Sequence, residues 1–311
     1  AHAALSRSSR ARRDVDHAYV AVRSHLERFE TCLSETTVVP FADHPLTPYF
    51  PAFDVEINGC ALVAHLDTGG PFLVMNPERA CTIGIELTPA EAGYHGSRKT
   101  RRFAGRARSL RLGAAALQNV PVECLSTLSG EQDFVIVGTR LLEQFLATID
   151  YAGKRLVLSP RGPAFRDAHY RRLAEAERVE VPFFLWGDHY LWARGGVSDH
   201  RDLNFFVDSG LVLLKPDGRG GQKQAALSAQ TRSFRDWGVP RGDTRGKLFD
   251  APLRLSLGEV SAENFMFHVD DRPAWSSFGG VRIDGLISHA FLSRRAWTLD
   301  FDRRLFVFSG S

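Results

Sequence analysis

Along most of this chain, apolar and polar positions group into short runs broken by glycine, asparagine or proline, a β pattern rather than a helical one. Residues 53–57 and 60–66 flank Asn58-Gly59, two residues that tolerate positive φ, and so predict a hairpin. Its second strand runs into Asp67-Thr68-Gly69-Gly70 and returns to apolar at Pro71-Phe-Leu-Val-Met75. The acid therefore sits at the end of an apolar strand, on a turn that glycine makes tight. Residues 109–113 and 117–122 predict further strands. Residues 134–138 predict an apolar strand ending on Gly138, with Thr139 capping a short helix that carries Leu141, Leu142 and Phe145. Residues 147–151 and 155–158 predict another hairpin around Ala152-Gly153-Lys154. A helical period runs only through residues 14–33, where Val15, Ala18, Tyr19, Val22, Leu26, Phe29 and Leu33 form an apolar stripe.

The second half repeats the first. Residues 179–185 and 189–193 bracket Trp186-Gly187-Asp188, and 203–207 lead into Asp208-Ser209-Gly210. Leu253-Arg-Leu-Ser-Leu-Gly258 answers Ser109-Leu-Arg-Leu-Gly113, and residues 285–301 align with 135–151, matching Leu142 to Leu292, Thr148 to Thr298, Asp150 to Asp300 and Tyr151 to Phe301. The chain reads as an internal duplication of one β-rich lobe. The predicted layout is a tail, amphipathic helix and connector over 1–50, a first lobe over 51–160, a polar, helical interlobe linker over 161–178 and a second lobe over 179–311. Asp150 and Asp300 recur as faithfully as Asp67 and Asp208 but lie in mid-hairpin, where an acid bonds the turn backbone. They are read as structural.

The two Asp-Ser/Thr-Gly triplets, each behind an apolar strand and each followed by a strand, a short helix and a Thr-Ile/Leu-Asp-Tyr/Phe hairpin, resemble the aspartic peptidases of the pepsin and retropepsin group. The resemblance covers roughly 53–158 and 179–310. It implies a mainly β, bilobal acid-protease fold of two duplicated barrel-like lobes. It also implies an endopeptidase in which Asp67 and Asp208, one from each lobe, activate a water. Thr68 and Ser209 would then cross-link the two turns. Gly69 and Gly210 would supply the tight backbone and its N–H groups, and Tyr94, in the region of the flap, would touch substrate. Such chemistry calls for no metal and no cofactor. The implied partner is a peptide or protein in the interlobe cleft of a monomer. Pepsins place a hydroxyl residue after each triplet where this chain has Gly70 and Leu211, and Ser288 stands where lobe one has Gly138. With fewer hydrogen bonds to the charged form, the acid pair is expected to titrate higher and to work at mildly acidic to near-neutral pH. The competing reading is an inactive or latent pepsin-fold protein that binds a peptide or protein, with the N-terminal helix as a mask.

Composition alters this little. The 311 residues suffice for two cores, and a net charge of +3 selects no partner. A basic run, Arg98, Lys99, Arg101, Arg102, Arg106, Arg108 and Arg111, lacks the interleaved aromatics of a nucleic-acid surface and predicts a solvated hairpin or loop, so no nucleic-acid partner is expected. No apolar run approaches a membrane span. None of the four cysteines forms a C-x-x-C pair; buried free thiols are the expectation, with one disulfide as the alternative. The opening residues 1–13 carry four arginines and no acid but no apolar core, so they assign no compartment.

Overall fold

A computed structural model of the chain describes residues 29–310 except 96–97, 131–132, 174–177, 188, 219, 240–246 and 272–280. It is mainly β. In lobe one, six strands close into a barrel by hydrogen bonding: Cys60–Asp67, Ala52–Ile57, Arg98–Leu112, Ala115–Leu125, Leu73–Met75 and Val135–Gly138. Closure pairs every barrel strand with two neighbours, although Leu73–Met75 covers only Val122–Cys124 of strand Ala115–Leu125 and leaves an open edge at its start. Leu66, Leu73, Leu110, Leu117, Val137 and Leu141 fill its interior with no more than 1% exposure. The Asn58-Gly59 turn has φ of 54° and 83°, as its composition predicts. Asn58 also bonds the rest of the lobe, its Nδ2 donating to the Ile83 carbonyl at 3.0 Å and its Oδ1 accepting from Ser109 N at 3.2 Å.

The strand pairing displays the duplication directly. Leu66 pairs with Val137 in parallel, and Val207 with Ile287. The hairpin turns after Asp150 and Asp300 both end on a residue with positive φ, Lys154 (50°) and Arg304 (56°). Asp150 accepts Gly153 N at 2.8 Å and Asp300 accepts Arg303 N at 3.1 Å, so both acids brace turns, as their mid-hairpin position implied.

The lobes join through one sheet. Strands Phe145–Asp150 and Ala296–Asp300 lie side by side, and the equivalent residues Thr148 and Thr298 meet there with their hydroxyls 2.8 Å apart. Strand Arg155–Pro160 and then Thr37–Pro40 flank this pair on one side, and Leu305–Ser309 and then Arg178–Trp186 on the other. Val39-Pro40-Phe41 therefore answers Val181-Pro182-Phe183, an echo that hydrophobic period alone does not reveal because the first copy is so short. The polar stretch between the lobes is a helix, Pro163–Leu173, tied down by Tyr170, whose hydroxyl donates to Asp300 Oδ2 at 2.8 Å.

Three expectations need correction. Thr139 is the first residue of helix Thr139–Leu142 and Gly138 its cap, while Phe145 begins the next strand. The helical stripe over 14–33 falls largely outside the described residues, but its end, Glu30–Cys32, is a strand paired with Ala115–Leu125. There the free edge of the barrel strand supplies hydrogen bonds that override local helix propensity. The cysteines are all free, but only Cys124 is buried, while Cys32, Cys60 and Cys81 are exposed.

Candidate active site

Asp67 ends strand Cys60–Asp67 and Asp208 follows strand His200–Val207, so the pseudo-twofold relation of the lobes brings both acids to one place. Each carboxylate is held by its own turn: Gly69 N donates to Asp67 Oδ1 at 2.7 Å and Gly210 N to Asp208 Oδ1 at 2.9 Å. Each also lies on the glycine of the other lobe. A Cβ on Gly69 would stand 2.7 Å from Asp208 Oδ2, and one on Gly210 would stand 2.1 Å from Asp67 Cγ. Only glycine permits this approach.

The hydroxyls of Thr68 and Ser209, both essentially buried, lock the turns together. Ser209 N donates to Thr68 Oγ1 at 2.9 Å and Thr68 N to Ser209 Oγ at 3.0 Å. Each hydroxyl then donates to the strand of the opposite lobe: Thr68 Oγ1 to the Val207 carbonyl at 2.9 Å, Ser209 Oγ to the Leu66 carbonyl at 3.4 Å. Thr68→Ala would orphan the Ser209 N–H and the Val207 carbonyl, and is expected to cost about 2–4 kcal/mol of stability in urea denaturation. Thr68→Ser keeps the hydroxyl and is expected to lose far less.

Burial first, and the neighbouring Asp67 carboxylate second, push Asp208 well above the usual carboxylate range. Two acids this close hold one proton between them, and their titration belongs to the pair.

The two lobes differ just past the triplets. From Asp67 to Leu73, which pairs with Val137, is six positions; from Asp208 to Leu227, which pairs with Ile287, is nineteen. The extra chain forms the hairpin of Leu214–Pro216 with Gln222–Ala229, whose connection carries Gly218, Gly220 and Gly221. Its Gln224 bridges the lobes, Nε2 donating to the Tyr49 carbonyl at 3.2 Å and Oε1 lying 2.9 Å from His289 Nδ1. This explains Ser288. In lobe one Gly138 N donates to the Phe72 carbonyl, and a Cβ there would stand 2.3 Å from the Gly70 carbonyl oxygen. In lobe two Ser288 N instead donates to Ala226, and its Oγ caps the next helix by accepting from Ala290 N at 3.1 Å.

The basic run lies on strand Arg98–Leu112, which forms a long hairpin with Leu87–His95. Tyr94 opposes Lys99 in that hairpin, and the Tyr94 side chain lies outside the described residues. The next residue, His95, has no role assigned to it by sequence pattern. Its Nδ1 is 3.2 Å from Thr127 Oγ1, burial holds its pKa below the ordinary histidine value, and the Asp67 charge partly opposes that shift. The hairpin therefore brings His95 within electrostatic reach of the acid pair. His65, in contrast, is packed: 2% exposed, stacked on Phe50 and bonded through Nδ1 to the Phe50 carbonyl at 3.0 Å. Among the described residues no group of three or more His, Cys, Asp or Glu is placed to hold a metal ion, and no helix is long and apolar enough to cross a membrane.

Residues 53–141, the core of the first lobe with its Asp67 triplet, match a family model described as aspartyl protease. Among solved structures, the chain is similar to a retropepsin-like aspartic protease from Rickettsia conorii, at 18% identity and a TM-score of 0.30, covering 43% of this chain and 97% of that one. No curated protein matches.

Proposed function

We propose that the chain is an aspartic endopeptidase in which Asp67 and Asp208 form the catalytic pair. The observation that carries this reading is the reciprocal packing of each carboxylate on the glycine of the opposite lobe, with the turns locked by Thr68 and Ser209. A fold kept only for binding has no need to force two carboxylates together at an electrostatic cost.

In the proposed reaction, a water between the carboxylates gives a proton to Asp67 while its oxygen attacks the peptide carbonyl carbon. Asp208, which burial and Asp67 keep protonated, gives its proton to the carbonyl oxygen. The resulting gem-diol returns one hydroxyl proton to Asp208 as its C=O bond forms and the C–N bond breaks, and the proton on Asp67 passes to the departing nitrogen, which restores the pair. No enzyme–substrate covalent bond forms. The turn N–H groups of Gly69 and Gly210 hold the carboxylates in position throughout.

The first test is hydrolysis of an unfolded protein from pH ~3 to ~8. The turns supply backbone N–H donors to the carboxylates but no hydroxyl from Gly70 or Leu211, so the bell-shaped profile is expected to peak between about pH 4.5 and 7. A peak near pH ~2 would contradict this account of the pair. Well-folded protein without activity at any pH would leave the binding-only reading standing.

A further inference from the structure

The positive charge of this chain is concentrated in one hairpin. Between residues 87 and 112 there are seven cations and one acid, Glu91, a balance of +6 on a chain whose total is +3. The rest of the molecule is therefore net negative by three. That hairpin is also the one whose His95 lies within electrostatic reach of Asp67.

The cations fall on both faces. His95 opposes Arg98, so Arg98 shares the face turned toward Asp67 and Thr127. On the same face Thr100 is buried against Ser126 and Thr127, and Arg102 is paired with Glu123. Lys99 and Arg101 lie on the other face, and both are exposed. Among the described residues neither makes an ion pair, whereas Arg102 does. The next exposed cations on this strand are Arg108 and Arg111. A strand designed only for solubility would mix charges, because unpaired like charges repel along it.

Resting on the peptidase reading above, we propose that this hairpin selects acidic polypeptides, with Arg98, Lys99 and Arg101 attracting carboxylates of the substrate that lie away from the scissile bond. The floor of the site carries the single negative charge of the Asp67–Asp208 pair, so acidic side chains are unfavourable beside the cleaved bond and favourable further along, under the hairpin. With a screening length of about 8–10 Å at physiological salt, cations on the outer face still act across one β-hairpin. The single-stranded nucleic acid alternative is weaker, since the aromatic on this strand, Phe103, packs against the core.

The experiment compares two fluorescent peptides with one cleavage sequence, flanked on both sides by Glu or by Gln, at low and at physiological salt. Cleavage is followed with wild type and with Lys99→Glu/Arg101→Glu, and anisotropy measures binding of both peptides to the Asp67→Asn protein. Wild type is expected to prefer the Glu peptide in kcat/KM by about 10-fold or more at low salt, a preference that shrinks several-fold as salt rises. In the charge-reversed protein the Glu/Gln ratio is expected to fall to about one. Equal cleavage of the two peptides, or a preference that ignores both salt and charge reversal, would overturn the proposal and leave the peptidase intact. So would an oligonucleotide that competes better than a poly-Glu peptide of equal charge. Salt-sensitive binding of the Glu peptide with no cleavage by wild type would keep the acidic preference and remove the peptidase reading.

Discussion

Asp208→Asn is expected to reduce cleavage by at least ~10³-fold while leaving the fold as stable as wild type or more so. The asparagine matches the carboxylate in shape, so Gly210 N keeps an acceptor and the packing against Gly69 is unchanged. It cannot lend a proton to the carbonyl oxygen. Stability moves the other way for a definite reason. The folded-state pKa of Asp208 is raised, so ionising it costs folding free energy above that pKa, and an uncharged replacement avoids the cost. The variant should therefore gain most over wild type at alkaline pH and lose that advantage as pH falls. Asp67→Asn is expected to abolish activity equally, and the double variant to be no worse than either single one, because the pair acts as a unit. Activity assays with urea denaturation at two pH values check all of this. Substantial cleavage by either single variant would refute a pair built from both lobes.

Much of this arrangement was legible in the sequence because it is written twice. A single Asp-Thr-Gly is a common turn. Its recurrence at Asp208 behind an apolar strand, with the Thr-Ile-Asp-Tyr and Thr-Leu-Asp-Phe hairpins in register, marks the duplication, whereas the pairing of Thr148 with Thr298 is visible only in the structure. What was not legible depends on contacts between segments distant in sequence. The edge strand Thr37–Pro40 is four residues long and takes its conformation from Arg155–Pro160, not from its own period. Glu30–Cys32 fits a helical stripe until a barrel edge is present to pair with it. Ser288 looked like a lost glycine; the thirteen additional residues before Leu227 change the backbone it faces and make it a cap. His95 lacked any local signal, because its importance comes from a hairpin folding back over a turn nearly thirty positions earlier.

Acid is expected to unfold this protein in a range where pepsin-type chemistry would still run, and two histidines are the reason. His65 is packed between Phe50, Phe134 and His44, and His289 lies at the lobe interface against Tyr151 with 1% exposure. Burial lowers each from 6.5 to about 4. Below pH 6.5 the unfolded chain takes up protons at these positions and the folded chain does not, so stability falls with pH until about pH 4, where both states are protonated. Each histidine contributes about 3 kcal/mol to that loss, and two together approach the whole stability of an ordinary domain. The raised Asp208 works in the opposite direction, since its protonation favours the folded state. Asparagine places an amide nitrogen near Nδ1 without a titratable ring, so His289→Asn should keep the link to Gln224. Denaturation at several pH values is expected to give that variant lower stability than wild type at neutral pH. Between neutral pH and pH ~4 its loss should be smaller than that of wild type by about 3 kcal/mol. Parallel losses in the two proteins would mean that His289 already titrates normally in the fold. Otherwise the buried imidazoles fix the acid limit of activity above the point where the acid pair itself would fail, which favours mildly acidic to near-neutral working conditions.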